Sequence, residues 1–171
     1  MKNFKLFLSE NKESKYNIFV DLDGTLCDFI KGFEKEVGMT PKEYVSKNNA
    51  ASTWEVIRQF NKKWWANLEW LPGSKKLYDY IMSLNIPVKV LTTAPRDSQE
   101  SRDGKNEWVK KNTDIKEVVF SEHKEQMVKS KYDILIDDKE ENITKWEKRG
   151  GNGIRCTSPE KALKELKEIF K

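Results

Sequence analysis

Histidine is nearly absent from this chain, with His123 the only one in 171 residues. That excludes histidine-based catalysis and any multi-histidine metal site, although His123 lies beside Lys124 and could still touch a site there. Cysteine is almost as scarce. Cys27 and Cys156 form no disulfide framework, and reduced thiols in a cytoplasmic setting are the simpler expectation. Long apolar runs are missing too. The opening Met1-Lys2-Asn3-Phe4-Lys5-Leu6-Phe7-Leu8-Ser9-Glu10 is broken by Lys5, so it lacks the run of about 7–15 apolar residues that a secretory leader needs. No later segment approaches the roughly 20 residues of a membrane span, and no membrane partner is expected. Basic residues number 32 against 28 acidic, a net charge of +4. They are interspersed with glutamates rather than clustered, so there is no strong nucleic-acid signal. Repeats, linkers and low-complexity tracts are also absent. What remains, 37% apolar and 35% charged, describes a soluble domain with a real core and room for one insertion.

The informative segment is Asp21-Leu22-Asp23-Gly24-Thr25, which follows the apolar run Asn17-Ile18-Phe19-Val20. Alternate residues of an extended chain point the same way, so Asp21 and Asp23 can serve one site, and Gly24 lets the chain turn. One carboxylate can attack phosphorus while the other moves protons. A second run, Pro87 to Leu91, ends in Thr92-Thr93-Ala94-Pro95, and a third, Asp133 to Ile136, ends in Asp137-Asp138. Between them lies Lys124, with Lys129 and Lys131 as competitors. A calcium loop is a poor alternative for the first motif, because its fifth and twelfth positions hold Thr25 and Gly32 where acidic ligands belong.

Apolar runs and breakers predict strands at 16–21, 86–92, 117–120, 133–137 and 153–156. Helices are predicted at 75–84, 102–111, 124–130, 140–149 and 158–170, with Ser74 as an N-cap and the glycines of 150–153 as a C-cap. Between Phe29 and Leu68 come further helical stretches, with Trp54, Ile57, Phe60 and Trp64 at helical spacing. Residues 29–70 are therefore expected to form a small cap, and 1–28 with 71–171 the core.

In order, Asp-x-Asp-Gly-Thr, Thr, Lys and Asp-Asp resemble the haloacid dehalogenase superfamily of phosphohydrolases. At finer grain, Asp21 to Phe29, Trp65-Ala-Asn-Leu-Glu-Trp-Leu-Pro-Gly73, Gly104-Lys-Asn-Glu-Trp-Val109 and Ile134 to Asp138 resemble the 5'(3')-deoxyribonucleotidase family. The likeness extends from about residue 16 to 154. It implies an α/β fold, a three-layer Rossmann-like parallel sheet with a helical cap after the first strand, and an active site beyond the carboxyl ends of the strands.

The resemblance implies a nucleoside monophosphatase working through an aspartyl-phosphate. Asp21 is the expected nucleophile and Asp23 the general acid and then base. Thr92, with Thr93 adding its N–H or hydroxyl, and Lys124 would hold the phosphate. Four carboxylates and a phosphate dianion repel by roughly 4 kcal/mol per pair at 4 Å, so a divalent cation is required. Oxygen-only ligands select Mg²⁺, held by Asp21, the Asp23 carbonyl and Asp138, with Asp137 in support. A base would be gripped by aromatic side chains, at roughly 1–3 kcal/mol per stack; Phe29 leads the candidates, followed by Phe60, Trp54 and Trp64. A homodimer is a candidate assembly. Alternatives are a superfamily phosphatase acting on another small ester or a polynucleotide 3'-phosphate, and a phospho-accepting signalling module. The last is disfavoured by chain order, since receivers place the acidic pair first.

Overall fold

The computed structural model describes residues 15–171; the Met1–Glu10 segment lies outside them. Its elements in chain order are β1 (Asn17–Val20), α1 (Phe29–Val37), α2 (Pro41–Lys47), α3 (Ala50–Gln59), α4 (Lys62–Ala66), α5 (Ser74–Ser83), β2 (Val88–Thr92), α6 (Gln99–Asn112) and β3 (Val118–Phe120). A 3₁₀ turn (Lys124–Met127), β4 (Asp133–Asp137), α7 (Glu140–Lys148), β5 (Asn152–Arg155) and α8 (Pro159–Ile169) follow. The strands form one sheet in the order β3-β2-β1-β4-β5, every pair parallel. This is a Rossmann-like α/β fold, with four helices inserted between β1 and α5.

Period-two alternation sends the strand side chains to opposite faces. Ile18, Val20, Val90, Ile134, Ile136 and Ile154 join Leu77, Ile81, Ala162 and Leu166 of α5 and α8 in the larger core. Phe19, Leu91 and Leu135 face the other way, onto Ile143 and Trp146 of α7. Both faces are thus covered, which is why the central strands are apolar throughout. From β1 the chain winds outward to β2 and β3, then returns to β1's other flank as β4. The reversal between β1 and β4 opens a crevice at their carboxyl ends, the place where such sheets bind ligands.

Several local expectations are corrected. The helix expected at 124–130 is only the short 3₁₀ turn, because Val128 is already extended (φ −67, ψ 121). Ser74 does not cap α5; Gly73 is the cap residue, and the Ser74 hydroxyl donates instead to the carbonyls of Leu26 and Leu71, each at 2.7 Å. The helical spacing from Trp54 to Trp64 is broken, since Phe60 leaves the helix at φ −66, ψ 122 and the Asn61 side chain caps α4 through Trp64 N. Past α7, Gly150 takes a left-handed φ of +90 and its N–H reaches Glu147 O at 2.8 Å, the glycine-dependent ending expected of this segment.

Candidate active site

Strand β1 delivers the Asp21–Thr25 motif to the crevice. Asp21 N still pairs with Ile136 O at 2.9 Å, after which the N–H groups of Thr25, Leu26 and Cys27 all converge on Leu22 O. Leu22 sinks into the core, and the flanking Asp21 and Asp23 face the site. Gly24 is required twice over: its φ is +76, and a Cβ there would stand 2.7 Å from Asp138 Oδ2.

Two buried lysines serve the two aspartates separately. Lys124 Nζ donates to Asp21 Oδ1 at 2.7 Å and to Asp137 Oδ2 at 2.6 Å. Burial acts to lower the Lys124 pKa, but Asp21 and Asp137 outweigh it and the group titrates above the usual lysine value. Lys105 Nζ, 1% exposed, donates to Asp23 Oδ2, to Thr92 Oγ1 and to Thr93 O. Lys105 stands inside the Gly104–Val109 motif, whose resemblance to the family implies no role for it. The available signal was periodicity: Ser101, Lys105, Trp108 and Val109 form the buried stripe of α6, and a charge on such a stripe needs partners. The Thr93 hydroxyl donates to Ser121 O at 3.0 Å, which leaves Thr92 as the strand-tip hydroxyl turned to the lysine. Lys129 meets Asp133 through its backbone N–H, and His123 is exposed beside Glu125, outside the cavity.

Asp21, Asp137 and Asp138 each bring a carboxylate oxygen within 4.8 Å of the others. Asp137 is fixed by Lys139 N at 2.9 Å and by the Asn142 amide. Burial, then Asp21, raises its pKa against the opposing pull of Lys124. Asp138 is pushed up to about 7, chiefly by burial and then by Asp21 and Asp137, and its buried Oδ1 has no hydrogen-bond partner. An orphaned oxygen inside an all-oxygen cluster of crowded carboxylates fits a hard divalent cation.

The cluster opens into a cavity of about 290 Å³ lined by Asp21, Asp23, Thr92, Thr93, Lys105, Lys124 and Asp138 on the sheet side. Phe29, Ile30, Val45, Trp54, Ile57 and Trp65 from the inserted helices form its apolar wall. Ile30, Val45 and Trp54 are the large apolar side chains left exposed among the described residues, and all three line this one cavity. Phe60 and Trp64 do not reach it. They stack on each other with centroids 4.0 Å apart and line a separate cleft with Lys31, Lys35 and Glu69. Their expected base contact is corrected accordingly: the break at Phe60 turns both rings to the far side. Trp65, next in the chain, takes the inner position, 2% exposed and stacked on Phe29 at 5.8 Å.

Fold and site together define a phosphohydrolase of the haloacid dehalogenase type. The family described as "5' nucleotidase, deoxy (Pyrimidine), cytosolic type C protein" matches over residues 15–165. The chain belongs to that family and is a phosphatase of the nucleotidase kind. Among solved structures, a HAD-superfamily hydrolase from Ehrlichia chaffeensis superposes with a TM-score of 0.60 at 13% identity, covering 91% of this chain and 97% of that one. A protein assigned as a beta-phosphoglucomutase from Thermotoga maritima gives 0.55 at 14% identity, over 90% and 99%. A HAD hydrolase of family IA, variant 3, from Entamoeba histolytica gives 0.50 at 13%, over 82% and 83%. At these identities the likeness is one of fold. No curated protein gives a significant match.

Proposed function

We propose that this enzyme hydrolyses deoxyribonucleoside monophosphates, with Mg²⁺ as its cofactor and an aspartyl-phosphate as its intermediate. The observation that carries the reading is the union of two unlike walls in one cavity, the Asp21, Asp23 and Lys124 cluster at the sheet tips and the Phe29, Trp54 and Trp65 wall opposite. A phosphate ester of a flat, apolar-faced group needs both.

Asp21 attacks phosphorus in line, and splitting hydrolysis into two displacements lowers the barrier of each. Lys124 has one N–H left after pairing Asp21 and Asp137, and directs it to a phosphoryl oxygen. Thr92 orients the phosphate from the tip of β2. Asp23 gives its proton to the leaving sugar oxygen and later takes one from the attacking water. Asp21, Asp138 and the Asp23 carbonyl, with Asp137 in support, would hold the cation, which when bound would supply positive charge against the gathering anions. Helices α1–α4, residues 29–70, act as the cap over this chemistry, and Phe29 and Trp54 hold the base, with Trp65 packed behind Phe29. Both described thiols are buried and free, in keeping with the cytosolic type in the family description.

The test is phosphate release with Mg²⁺ across deoxy- and ribonucleoside monophosphates of all bases and a panel of sugar phosphates. Preference for a deoxynucleotide is expected. A clear preference for a sugar phosphate sinks the nucleotidase reading and leaves a phosphatase of another specificity.

A further inference from the structure

Lys105 differs from Lys124 in what its ammonium has left to give. A lysine carries three N–H donors. Those of Lys105 have three acceptors around them, Asp23 Oδ2, Thr92 Oγ1 and Thr93 O, so none is spare for a phosphoryl oxygen. Its ammonium is covered, and the backbone next to it is anchored. The Trp65 ring covers Nζ at 4.9 Å, and Gly104 beside it packs so tightly on α4 that a Cβ there would run into Trp65 and the Lys62 carbonyl. On Asp23, the second oxygen is also held, because the Cys27 thiol donates to Oδ1 at 3.5 Å. Cys27 is fully buried, so its thiol has no solvent to turn to.

We propose that Lys105 is the positioning residue of the acid–base step, and that with the Cys27 thiol it clamps the Asp23 carboxyl in the orientation that serves the leaving oxygen. In the first displacement the Asp21–phosphorus bond forms, the bond to the leaving oxygen breaks, and the Asp23 proton passes to that oxygen. In the second, water adds to phosphorus, its proton goes to Asp23, and the Asp21–phosphorus bond breaks. Left free, the partly exposed Asp23 side chain would turn toward Lys124, which its neighbour Asp21 already reaches. The clamp prevents that without touching the substrate. This inference rests on the phosphatase reading above.

The test uses leaving-group chemistry. A nucleoside alkoxide needs its proton, whereas p-nitrophenolate leaves almost unaided. Lys105→Met is expected to lower kcat on a deoxynucleoside monophosphate by about 100-fold, and on p-nitrophenyl phosphate by less than about fivefold. Added to Asp23→Asn, it should cost no more than about threefold, since a residue acting through Asp23 has nothing left to act on. Inhibition by inorganic phosphate should not weaken. Equal losses on both substrates, additivity with Asp23→Asn, or loss of phosphate inhibition in step with rate each overturn the proposal. Should Lys105→Met fail to fold by thermal melting, Cys27→Ala decides: a loss of about threefold to tenfold confined to the nucleotide supports the clamp, and equal losses refute it. Turnover by the wild type separates the two readings. Activity on neither substrate removes the phosphatase reading and the clamp together, while activity on both with symmetric variant losses removes the clamp alone.

Discussion

The sheet tips and the inserted helices build the same cavity by opposite means. At the tips the polar groups are tied, apart from the orphaned Asp138 Oδ1: Lys124 to two aspartates, Lys105 to three acceptors, Asp137 to Lys139 and Asn142. On the helices the wall is apolar and partly open, with Ile30, Val45 and Trp54 exposed on three different helices. Reaction chemistry demands fixed charges, because catalytic electrostatics work only when donors need not reorganise. Recognition of a base demands area, and aromatic faces supply it with little directional constraint. On the proposed function this is a division of labour, with kcat belonging to the tips and KM to the helices.

The largest test of that division is at Asp21. Asp21→Asn should abolish turnover while leaving the fold intact, as it keeps shape and removes the nucleophile; retained activity above about 1% of wild type would rule out covalent catalysis there. Stripping divalent cations with a chelator should be nearly as severe, with Mg²⁺ restoring turnover and raising Tm through binding to the native state alone. Full activity in excess chelator would remove the cation from the mechanism. Next comes Asp23→Asn, expected to cost about 10²- to 10⁴-fold in kcat with cation binding by calorimetry preserved. Loss of binding would mean that its carboxylate, and not its carbonyl, is a ligand.

On the helix side the effects shrink and move to KM. Phe29→Ala should raise KM for deoxynucleoside monophosphates by about tenfold to a hundredfold, the loss of one stack, and barely alter hydrolysis of a small ester lacking a base. Equal losses on both would reassign Phe29 to support of the catalytic loop. Smallest is Trp64→Leu, on the far face: stability should fall by about 1–3 kcal/mol in denaturant titration with KM within about twofold of wild type. A tenfold KM change there would erase the distinction between the two faces.

The tips were legible in the sequence because a buried parallel strand is a contiguous apolar run, and its last residue must emerge at the sheet's carboxyl edge. Asp21, Thr92 and Asp137 sit at the ends of three such runs, so their approximate company follows once the runs are laid parallel, as the family resemblance implies. The inserted helices were not legible to the same degree. Trp64 and Trp65 are neighbours, and a helical wheel places them about 100° apart without saying which faces the site. The break at Phe60 and the packing of α4 on α6 made that choice.

By itself the sequence determined the sheet, the order in which its tips present acid, hydroxyl and acid pair, and the all-oxygen character of the acidic cluster. All of these are properties of local runs and residue types. Only the tertiary structure decided which of Lys124, Lys129 and Lys131 enters the site, that Lys105 binds Asp23, and that Trp65 displaces Trp64 from the cavity wall. A flexible four-carbon stem or a rotated aromatic ring takes its place from whichever partners lie across the fold. Lys124 and Asp21 stand 103 residues apart, and no local pattern carries that distance.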